Sequence, residues 1–327
     1  MPRVVVFDEF GGPEALHLVT DPVIEPATGE VRVRIEAFAV NPLDAMMRSG
    51  RSPAPVPLPH ARLGIEATGV IDVVGPEVAG LKPGDPIIIA AIPDPSIRGT
   101  YADYTTIPAS AVIPRPVGLD IVQAAAIWVA FSTAYGALVE DARMSPGDRV
   151  LISGASGSVG RAAMQIARQI GATPIAVTRR TANTAELLAA GAFAVIATDH
   201  EPVAEAVRRH SGGIGADITL DLVRGPGQQD LIEATRPGGI LVAAGFLDPR
   251  PAPDPGDAPV TIVNYRGFDR LADPLVVRRM AAFLVAGVRA GALRPAIDEV
   301  FSLDDIVQAH HRFDRGLHEG RKIIVTP

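Results

Sequence analysis

Cysteine is absent from this 327-residue sequence. Its absence excludes disulfides, thiolate nucleophiles, iron–sulfur clusters and cysteine-ligated zinc. Lysine is nearly absent, because only Lys82 and Lys322 occur among the 30 basic residues. Neither lysine stands between a glycine and a serine or threonine, so the sequence contains no Walker-type phosphate loop.

Net positive charge and long hydrophobic runs are also missing. The formal net charge is -7, so we expect no general attraction to nucleic acid or to anionic membranes. The longest near-apolar run, residues 121–131, is too short to span a bilayer. Asp8 and Glu9 fall where a signal peptide needs an apolar core. We therefore expect a soluble, cytoplasmic protein with neither a membrane nor a nucleic-acid partner.

What is present predicts an α/β fold in two domains. Short β-branched runs bounded by Gly and Pro fill the first part of the chain, at residues 4–7, 30–39, 68–74 and 86–91. From Asp120 onward, strand-like runs alternate with helical ones, as in a parallel sheet with crossover helices. These strands are predicted at residues 150–153, 173–178, 194–197, 218–221, 240–244 and 260–263.

One of these strands leads into a glycine-rich turn and then an amphipathic helix. Against the dinucleotide fingerprint Gly-x-Gly-x-x-Gly, the turn reads Ala155-x-Gly157-x-x-Gly160. The glycines would let the backbone approach a pyrophosphate and let the helix pack closely on the strand. The alternative is a structural tight turn. The residues predicted to contact a cofactor here are Ala155, Ser156, Gly157, Ser158, Val159 and Gly160.

The next strand ends where NAD-dependent enzymes place an acidic residue for the ribose 2′-hydroxyl. Here it ends at Thr178 and continues with Arg179 and Arg180, with no acid. A guanidinium is well suited to a 2′-phosphate, so the sequence favours NADPH over NADH. The alternative is a solvated basic loop.

Together with other segments, this pattern resembles the zinc-free medium-chain dehydrogenase/reductases, in the quinone oxidoreductase (zeta-crystallin-like) branch. The matching segments are residues 40–44, 48–50, 64–70, 74–78, 82–85, 99–104, 154–160, 236–239 and 320–325. The resemblance implies a bilobal protein in which a doubly wound Rossmann sheet is inserted into a β-rich, partly open barrel of GroES-like type. Residues 1–119 and 292–327 would form the catalytic domain and residues 120–291 the NADPH-binding domain. It also implies a homodimer formed through the edge of the Rossmann sheet.

The same resemblance predicts a metal-free site. Zinc-dependent relatives carry Gly-His-Glu where this chain has Gly64-Ile65-Glu66, and Ile65 cannot bind a metal. Without a Lewis acid, the expected hydride acceptor is already electrophilic. A quinone or an activated C=C bond of an α,β-unsaturated carbonyl compound meets this condition.

Several residues receive roles from the resemblance. Asn41 would lie near the nicotinamide ribose and donate a hydrogen bond to a substrate oxygen that gains negative charge. Asp44 and Arg48 are candidates for catalysis or for an i,i+4 ion pair. Met46 occupies the place of a tyrosine found in many relatives, so Tyr135 or Tyr101, or bulk water, would supply the proton. The remaining expected cofactor contacts are Thr133, Gly245, Phe246, Leu247 and Lys322. Lys322 would point at a cofactor phosphate, and the alternative is a simple surface lysine.

Other classes fit the sequence less well. A short-chain dehydrogenase needs Tyr-x-x-x-Lys, and none of the four tyrosines has a lysine four residues later. A hydrolase nucleophile elbow needs Gly-x-Ser-x-Gly, and Ser158 stands where its last glycine should be. Two alternatives stay open: an enoyl-thioester reductase of the same family, and a non-catalytic NADPH-binding protein.

Overall fold

The structure is a computed structural model that describes all 327 residues, and it divides into two compact units. The first unit comprises Met1–Val129 and Pro295–Pro327, and the second comprises Ala130–Arg294. The strands are β1 (Arg3–Phe7), β2 (His17–Thr20), β3 (Glu30–Ala39), β4 (Ala61–Arg62), β5 (Ala67–Val74), β6 (Pro86–Ile89), β7 (Tyr104–Pro108), β8 (Val112–Pro114), β9 (Arg149–Ile152), β10 (Thr173–Thr178), β11 (Ala194–Ala197), β12 (Ala216–Asp221), β13 (Thr235–Ala243), β14 (Thr261–Asn264), β15 (Ile297–Ser302) and β16 (Lys322–Thr326). The helices are α1 (Pro42–Arg48), α2 (Pro95–Arg98), α3 (Ile121–Tyr135), α4 (Ser158–Ile170), α5 (Thr184–Ala189), α6 (Val203–His210), α7 (Gln228–Ala234), α8 (Gly267–Leu271), α9 (Pro274–Arg289) and α10 (Ile306–Asp314).

The second unit is built on a six-stranded parallel sheet in the order β11-β10-β9-β12-β13-β14. This is the doubly wound order of dinucleotide-binding folds, and the strand order reverses between β9 and β12. The predicted α/β class and Rossmann sheet are confirmed. The largest difference in a strand boundary is at β13, which begins at Thr235, five residues before the predicted start of that strand. Thr235 pairs with Ala216, across an irregularity in the β12–β13 register that a local pattern does not reveal.

The first unit contains an open seven-stranded sheet and a small three-stranded sheet. The larger sheet runs β15-β16-β3-β5-β6-β8, with β7 paired to β3, and it does not close into a barrel. Its core is formed by side chains such as Phe38, Leu63 and Tyr101, all fully buried. Strand β16, near the end of the chain, pairs with β3 through Ile324 and Val325. This pairing brings the C-terminal strand beside the segment that follows β3.

The unit boundaries differ from the predicted ones by ten residues at the first and three at the second. The first boundary falls inside α3, after Val129, and not at residue 119. The reason is packing, because Ala125 and Ala126 of α3 lie against Ala37 and Ala39 of the first unit. Composition changes at Asp120, but packing decides where the unit ends.

Helix α3 is longer than its apolar run suggested. It continues through a π-helical turn, Gly136–Asp141, so that Ile121–Asp141 forms one helical stretch of 21 residues. By length and composition alone this stretch could cross a membrane, so the expectation that the run is too short was wrong. Within the protein, 72% of its most apolar window is buried, which is the burial of a core helix.

Candidate active site

The glycine-rich turn lies at the carboxyl end of β9, next to the point where the strand order reverses. Gly154 has a positive φ of 58°, and Gly157 precedes the first residue of α4. A Cβ atom on Gly160 would lie 2.6 Å from the Cα atom of Ala155, so only glycine allows this close packing of helix and turn. The first N–H groups of α4 have no acceptor within the helix and can bind an anion. All six predicted residues of the turn meet at this helix N-terminus.

The two predicted arginines lie on the exposed turn after β10. No hydrogen bond or ion pair engages the guanidinium of Arg179 or Arg180, and both side chains are exposed. Thr178, at the end of β10, is buried and helps to fix this turn. Its hydroxyl oxygen accepts a hydrogen bond from Asn183 Nδ2 at 2.8 Å. Two free positive charges therefore stand at the end of the strand next to the glycine-rich turn.

Sequence reasoning missed a buried carboxylate at the same edge of the sheet. Asp221 ends β12, and its Oδ1 accepts hydrogen bonds from Ser153 Oγ at 2.8 Å and from the backbone N–H groups of Val223 and Arg224. Its Oδ2 accepts a further bond from Gln228. The carboxylate thus fixes the loop after β12 beside the glycine-rich turn. An aspartate directly after an apolar strand was the available signal.

The predicted segment Gly245-Phe246-Leu247 follows β13 on this edge. A Cβ atom on Gly245 would lie 1.9 Å from the carbonyl carbon of Leu222, so the loops after β12 and β13 run in direct contact. Phe246 and Leu247 are 52% and 62% exposed. Two large apolar side chains therefore border the carboxyl edge of the sheet without being packed into the core.

Thr133 and Tyr135, the predicted residues of α3, differ in their surroundings. Thr133 is half-buried. Tyr135 is buried, and the centroid of its ring lies 5.0 Å from that of Phe283 in α9. Burial, reinforced by the nearby Glu140 carboxylate, raises the pKa of Tyr135. Tyr135 is consequently a weaker acid than a free phenol.

In the first unit, Asn41 belongs to a buried cluster with Glu66 and Lys322. The Lys322 ammonium donates to Asn41 Oδ1 at 2.5 Å and to Glu66 Oε2 at 2.7 Å. Asn41 Nδ2 donates to the carbonyl oxygen of Ala39 at 3.1 Å and to Glu66 Oε2 at 3.3 Å. The other carboxylate oxygen of Glu66 accepts from the backbone N–H of Val129.

This cluster corrects two expectations. Both N–H groups of the Asn41 amide already donate within the protein, so donation to a substrate oxygen would require one of these bonds to break. Lys322 was expected to point at a cofactor phosphate, but its side chain is 4% exposed and is held by an ion pair with Glu66. Its partner lies 256 residues away in the sequence, which is why no local pattern indicated the pair.

Asp44 and Arg48 are part of a second buried polar chain. Asp44 accepts hydrogen bonds from the backbone N–H of Asn41 at 2.8 Å, from the backbone N–H of Gly64 at 3.1 Å and from the hydroxyl of Tyr101 at 3.1 Å. Desolvation raises its pKa to about 7, although these donors and the charge of Lys322 oppose the rise. Asp44 therefore ties the start of α1 to the turn that carries Glu66.

The predicted i,i+4 pair between Asp44 and Arg48 is not formed. Arg48 pairs instead with Asp314, at 2.6 Å, and lies 3.4 Å from Nδ1 of His310. His310 Nε2 lies 3.2 Å from the Tyr101 hydroxyl, so the chain of contacts leads back to Asp44. Burial lowers the pKa of His310 to about 3, so its ring is neutral. The polar groups of Asp44, Arg48 and Tyr101 are therefore buried and bind other protein groups, not solvent.

Two family models match this chain. Residues 27–117 match the alcohol dehydrogenase GroES-like domain, and residues 190–325 match the zinc-binding dehydrogenase domain. Human quinone oxidoreductase is 30% identical over 329 residues, covering 99% of this chain and 97% of the human protein. The chain belongs to the quinone oxidoreductase branch of the medium-chain dehydrogenase/reductase family. The predicted family is thereby confirmed, and the protein is an NAD(P)H-dependent oxidoreductase.

Solved structures of similar proteins share the fold of this chain over nearly its whole length. A mycobacterial protein solved in complex with NADPH is 26% identical, with a TM-score of 0.87, and the match covers 99% of this chain and 100% of that one. A structure described as an NAD-dependent alcohol dehydrogenase is 30% identical, with a TM-score of 0.85, over 99% of each chain. Relatives of this fold are thus described with either nicotinamide cofactor.

Proposed function

We propose that this protein uses NADPH to reduce a quinone or an activated C=C bond of an α,β-unsaturated carbonyl compound, and that it needs no metal. The observation that carries the proposal is the Glu66–Lys322 ion pair beside Ile65. The position of the zinc-ligating histidine of metal-dependent relatives is apolar here, and the neighbouring carboxylate already has a cationic partner. An ammonium at this place repels a divalent cation, and cysteine ligands are absent.

The residues at the carboxyl edge of the parallel sheet fit a dinucleotide. The α4 N-terminus would hold the pyrophosphate, and Arg179 with Arg180 would hold the 2′-phosphate. Their unpaired, exposed guanidiniums favour NADPH over NADH. Thr133 and the Gly245–Leu247 segment are proposed to contact the nicotinamide end. When bound, the cofactor supplies the hydride.

The chain's own contribution to the reaction is orientation and charge. We propose that Asn41, Glu66 and Lys322 act as a buried cluster whose paired charges fix the segment after β3, because the Lys322 ammonium is 4% exposed and is already bound to the Glu66 carboxylate. Asn41 is a positioning residue in this cluster and not a direct donor to the substrate.

The buried phenols favour a proton from solvent. Tyr101 donates to Asp44 and is fully buried, so it is poorly placed to protonate a substrate. Tyr135 is packed against Phe283, and the thioether side chain of Met46 has no acidic proton to donate. The oxygens of a reduced quinone can take protons from water, whereas the α-carbon of an enone needs a placed donor. Quinones should therefore be reduced faster than enones.

A panel of acceptors tests the reaction. We expect NADPH oxidation with ortho-quinones or naphthoquinones to exceed that with enals and enones, and a chelator to leave the rate unchanged. Enoyl thioesters reduced far faster than any quinone would assign the protein to the thioester reductases. Stoichiometric zinc together with activity lost to a chelator would contradict the metal-free site. NADPH binding without turnover of any acceptor would indicate a non-catalytic NADPH-binding protein.

Arg179→Ala tests the cofactor. Loss of charge-assisted hydrogen bonds, each worth roughly 1.5–3 kcal/mol, should weaken NADPH binding by about 10- to 150-fold. The affinity for NADH should be nearly unchanged, since NADH has no 2′-phosphate. Titration calorimetry of both cofactors measures the difference. Equal affinity of the unmutated protein for NADPH and NADH would refute the preference.

A further inference from the structure

An acidic residue does lie beside the arginine turn, although it does not come from β10. The parallel register places Thr178 of β10 opposite Ala197 of β11, and the backbone N–H of Thr198 donates to the carbonyl oxygen of Thr178 at 2.9 Å. The next residue is Asp199. Because both strands end at the same edge of the sheet, Asp199 lies at the level of the turn that carries Arg179 and Arg180.

Asp199 is bound to that turn through Thr181. Its Oδ1 accepts a hydrogen bond from the Thr181 hydroxyl at 2.8 Å, and its Oδ2 accepts one from the Thr181 backbone N–H at 3.0 Å. Thr181 directly follows the two arginines and opens the short 3-10 turn before α5. The carboxylate thus already occupies both donor groups of Thr181.

The charge of Asp199 is retained at neutral pH. Hydrogen bonds from the backbone and the hydroxyl of Thr181 lower its pKa. No ion pair joins Asp199 to Arg179 or Arg180, so the charge is not neutralised by the arginines it neighbours. One turn therefore carries two free positive charges and one fixed negative charge.

We propose that Asp199 is a specificity-determining residue that limits the preference for NADPH. Its carboxylate places negative charge beside the proposed 2′-phosphate site and occupies both donors of Thr181, so that neither can bind the phosphate. A negative charge that repels NADPH more strongly than NADH changes the ratio of their affinities without contacting either cofactor. The inference rests on the proposed binding of the 2′-phosphate at Arg179, and it predicts that NADH binds with appreciable affinity.

Asp199→Asn tests the charge with little change in shape. The amide oxygen can still accept from Thr181, while the negative charge is gone. We expect NADPH affinity to rise by about 3- to 10-fold, because the variant removes the repulsion between one unit charge and a phosphate several ångströms away near water. NADH affinity should be unchanged. The gain should shrink when calorimetry is repeated at high salt.

Two control variants separate charge from loop geometry. Thr181→Val removes one hydrogen bond but leaves the carboxylate charged, so the NADPH-to-NADH affinity ratio should not rise. Glu233→Gln removes one exposed charge at the end of α7, which leads into the opposite, amino edge of the sheet, and should change neither affinity. Thermal unfolding of each variant verifies that it is folded.

The outcomes distinguish this inference from the proposed function. If the unmutated protein binds NADPH, Arg179→Ala weakens that binding and Asp199→Asn leaves it unchanged, the role of Asp199 is refuted and the proposed function stands. A rise in the affinity ratio for Thr181→Val equal to that for Asp199→Asn also refutes it, since loop release would then explain both. No NADPH binding by the unmutated protein overturns the proposed function and this inference together.

Discussion

The buried ammonium of Lys322 holds two partners that have no other cation within hydrogen-bond distance. Removal of one member of a buried ion pair leaves an uncompensated charge, which typically costs about 3–5 kcal/mol. We therefore expect Lys322→Met to lower the free energy of unfolding by about this amount in urea denaturation. Lys82→Met is the matched control, because the only other lysine is exposed and should cost little. Similar small losses for both variants would contradict a structural role of the pair.

Asp44 and His310 should affect the pH dependence of stability in opposite directions. The folded-state pKa of Asp44 is about 7 against 3.8 for a free carboxyl, so its contribution to stability is full below pH 4 and is lost as the pH rises to 7. The folded-state pKa of His310 is about 3 against 6.5, so its contribution is absent at pH 3 and grows as the pH rises to 6.5. The other charged or titratable groups around the two residues are Tyr101, Arg48, Asp314, Lys322 and His311.

Variants of the two residues separate these effects. Asp44→Asn should remove the fall of stability that Asp44 contributes between pH 4 and 7, and His310→Gln should remove the rise that His310 contributes between pH 3 and 6.5. The differences between the folded and free pKa values of the two residues correspond to at most about 4–5 kcal/mol each. Urea denaturation at several pH values measures each slope. Parallel pH profiles for both variants and the unmutated protein would show that neither group titrates as described.

At the level of single residues, the sequence predicted positions along the chain better than contacts. Arg179 and Arg180 lie on the turn after β10 as expected, because the strand before them has a clear local pattern. The partners of Lys322 and Arg48 could not, because Glu66 and Asp314 approach them only when distant segments pair. Asp199 was missed for the same reason, since it enters the arginine turn from the next strand.

Among the elements, the contact between α4 and the glycine-rich turn gives a paired prediction. A Cβ atom on Gly160 would lie 2.6 Å from Ala155 Cα, whereas one on Gly157 would meet only the carbonyl oxygen of Gly154 at 3.3 Å. Gly160→Ala should therefore push the helix from the turn and cost about 1–3 kcal/mol of stability. Gly157→Ala should cost less stability but weaken dinucleotide binding. Urea denaturation and calorimetry report the two effects, and equal stability losses would contradict the packing argument.

Elements with a strong local signal were predicted with good bounds. The strands predicted at residues 173–178 and 194–197 are β10 and β11 with the same bounds, because short apolar runs define them. The π-helical turn after α3 was not predicted. Tyr265, which packs beside Gly136 at the start of this turn, lies more than a hundred residues away in the sequence, so no local pattern indicates the contact. The early start of β13 escaped prediction in the same way, since its partner strand sets it.

For the molecule as a whole, we expect a homodimer. Strand β14 is an edge of the parallel sheet and pairs only with β13, and Ile262 and Val263 are half-buried. An open edge of this kind invites pairing with another chain. Light scattering at micromolar concentration should give twice the chain mass of 34.2 kDa. A mass of one chain that does not change at higher concentration would exclude the dimer.

Strand β16, Lys322–Thr326, lies inside the sheet of the first unit, between β15 and β3. During synthesis, the residues of β16 emerge after those of the whole second unit. The second unit is continuous and can fold as soon as it has emerged, since domains generally fold as units during synthesis. The first unit must wait with its sheet incomplete, and the Glu66 carboxylate lacks its ammonium until Lys322 has been added. A chain that stopped before Lys322 would thus consist of a well-formed second unit attached to a first unit without an inner strand.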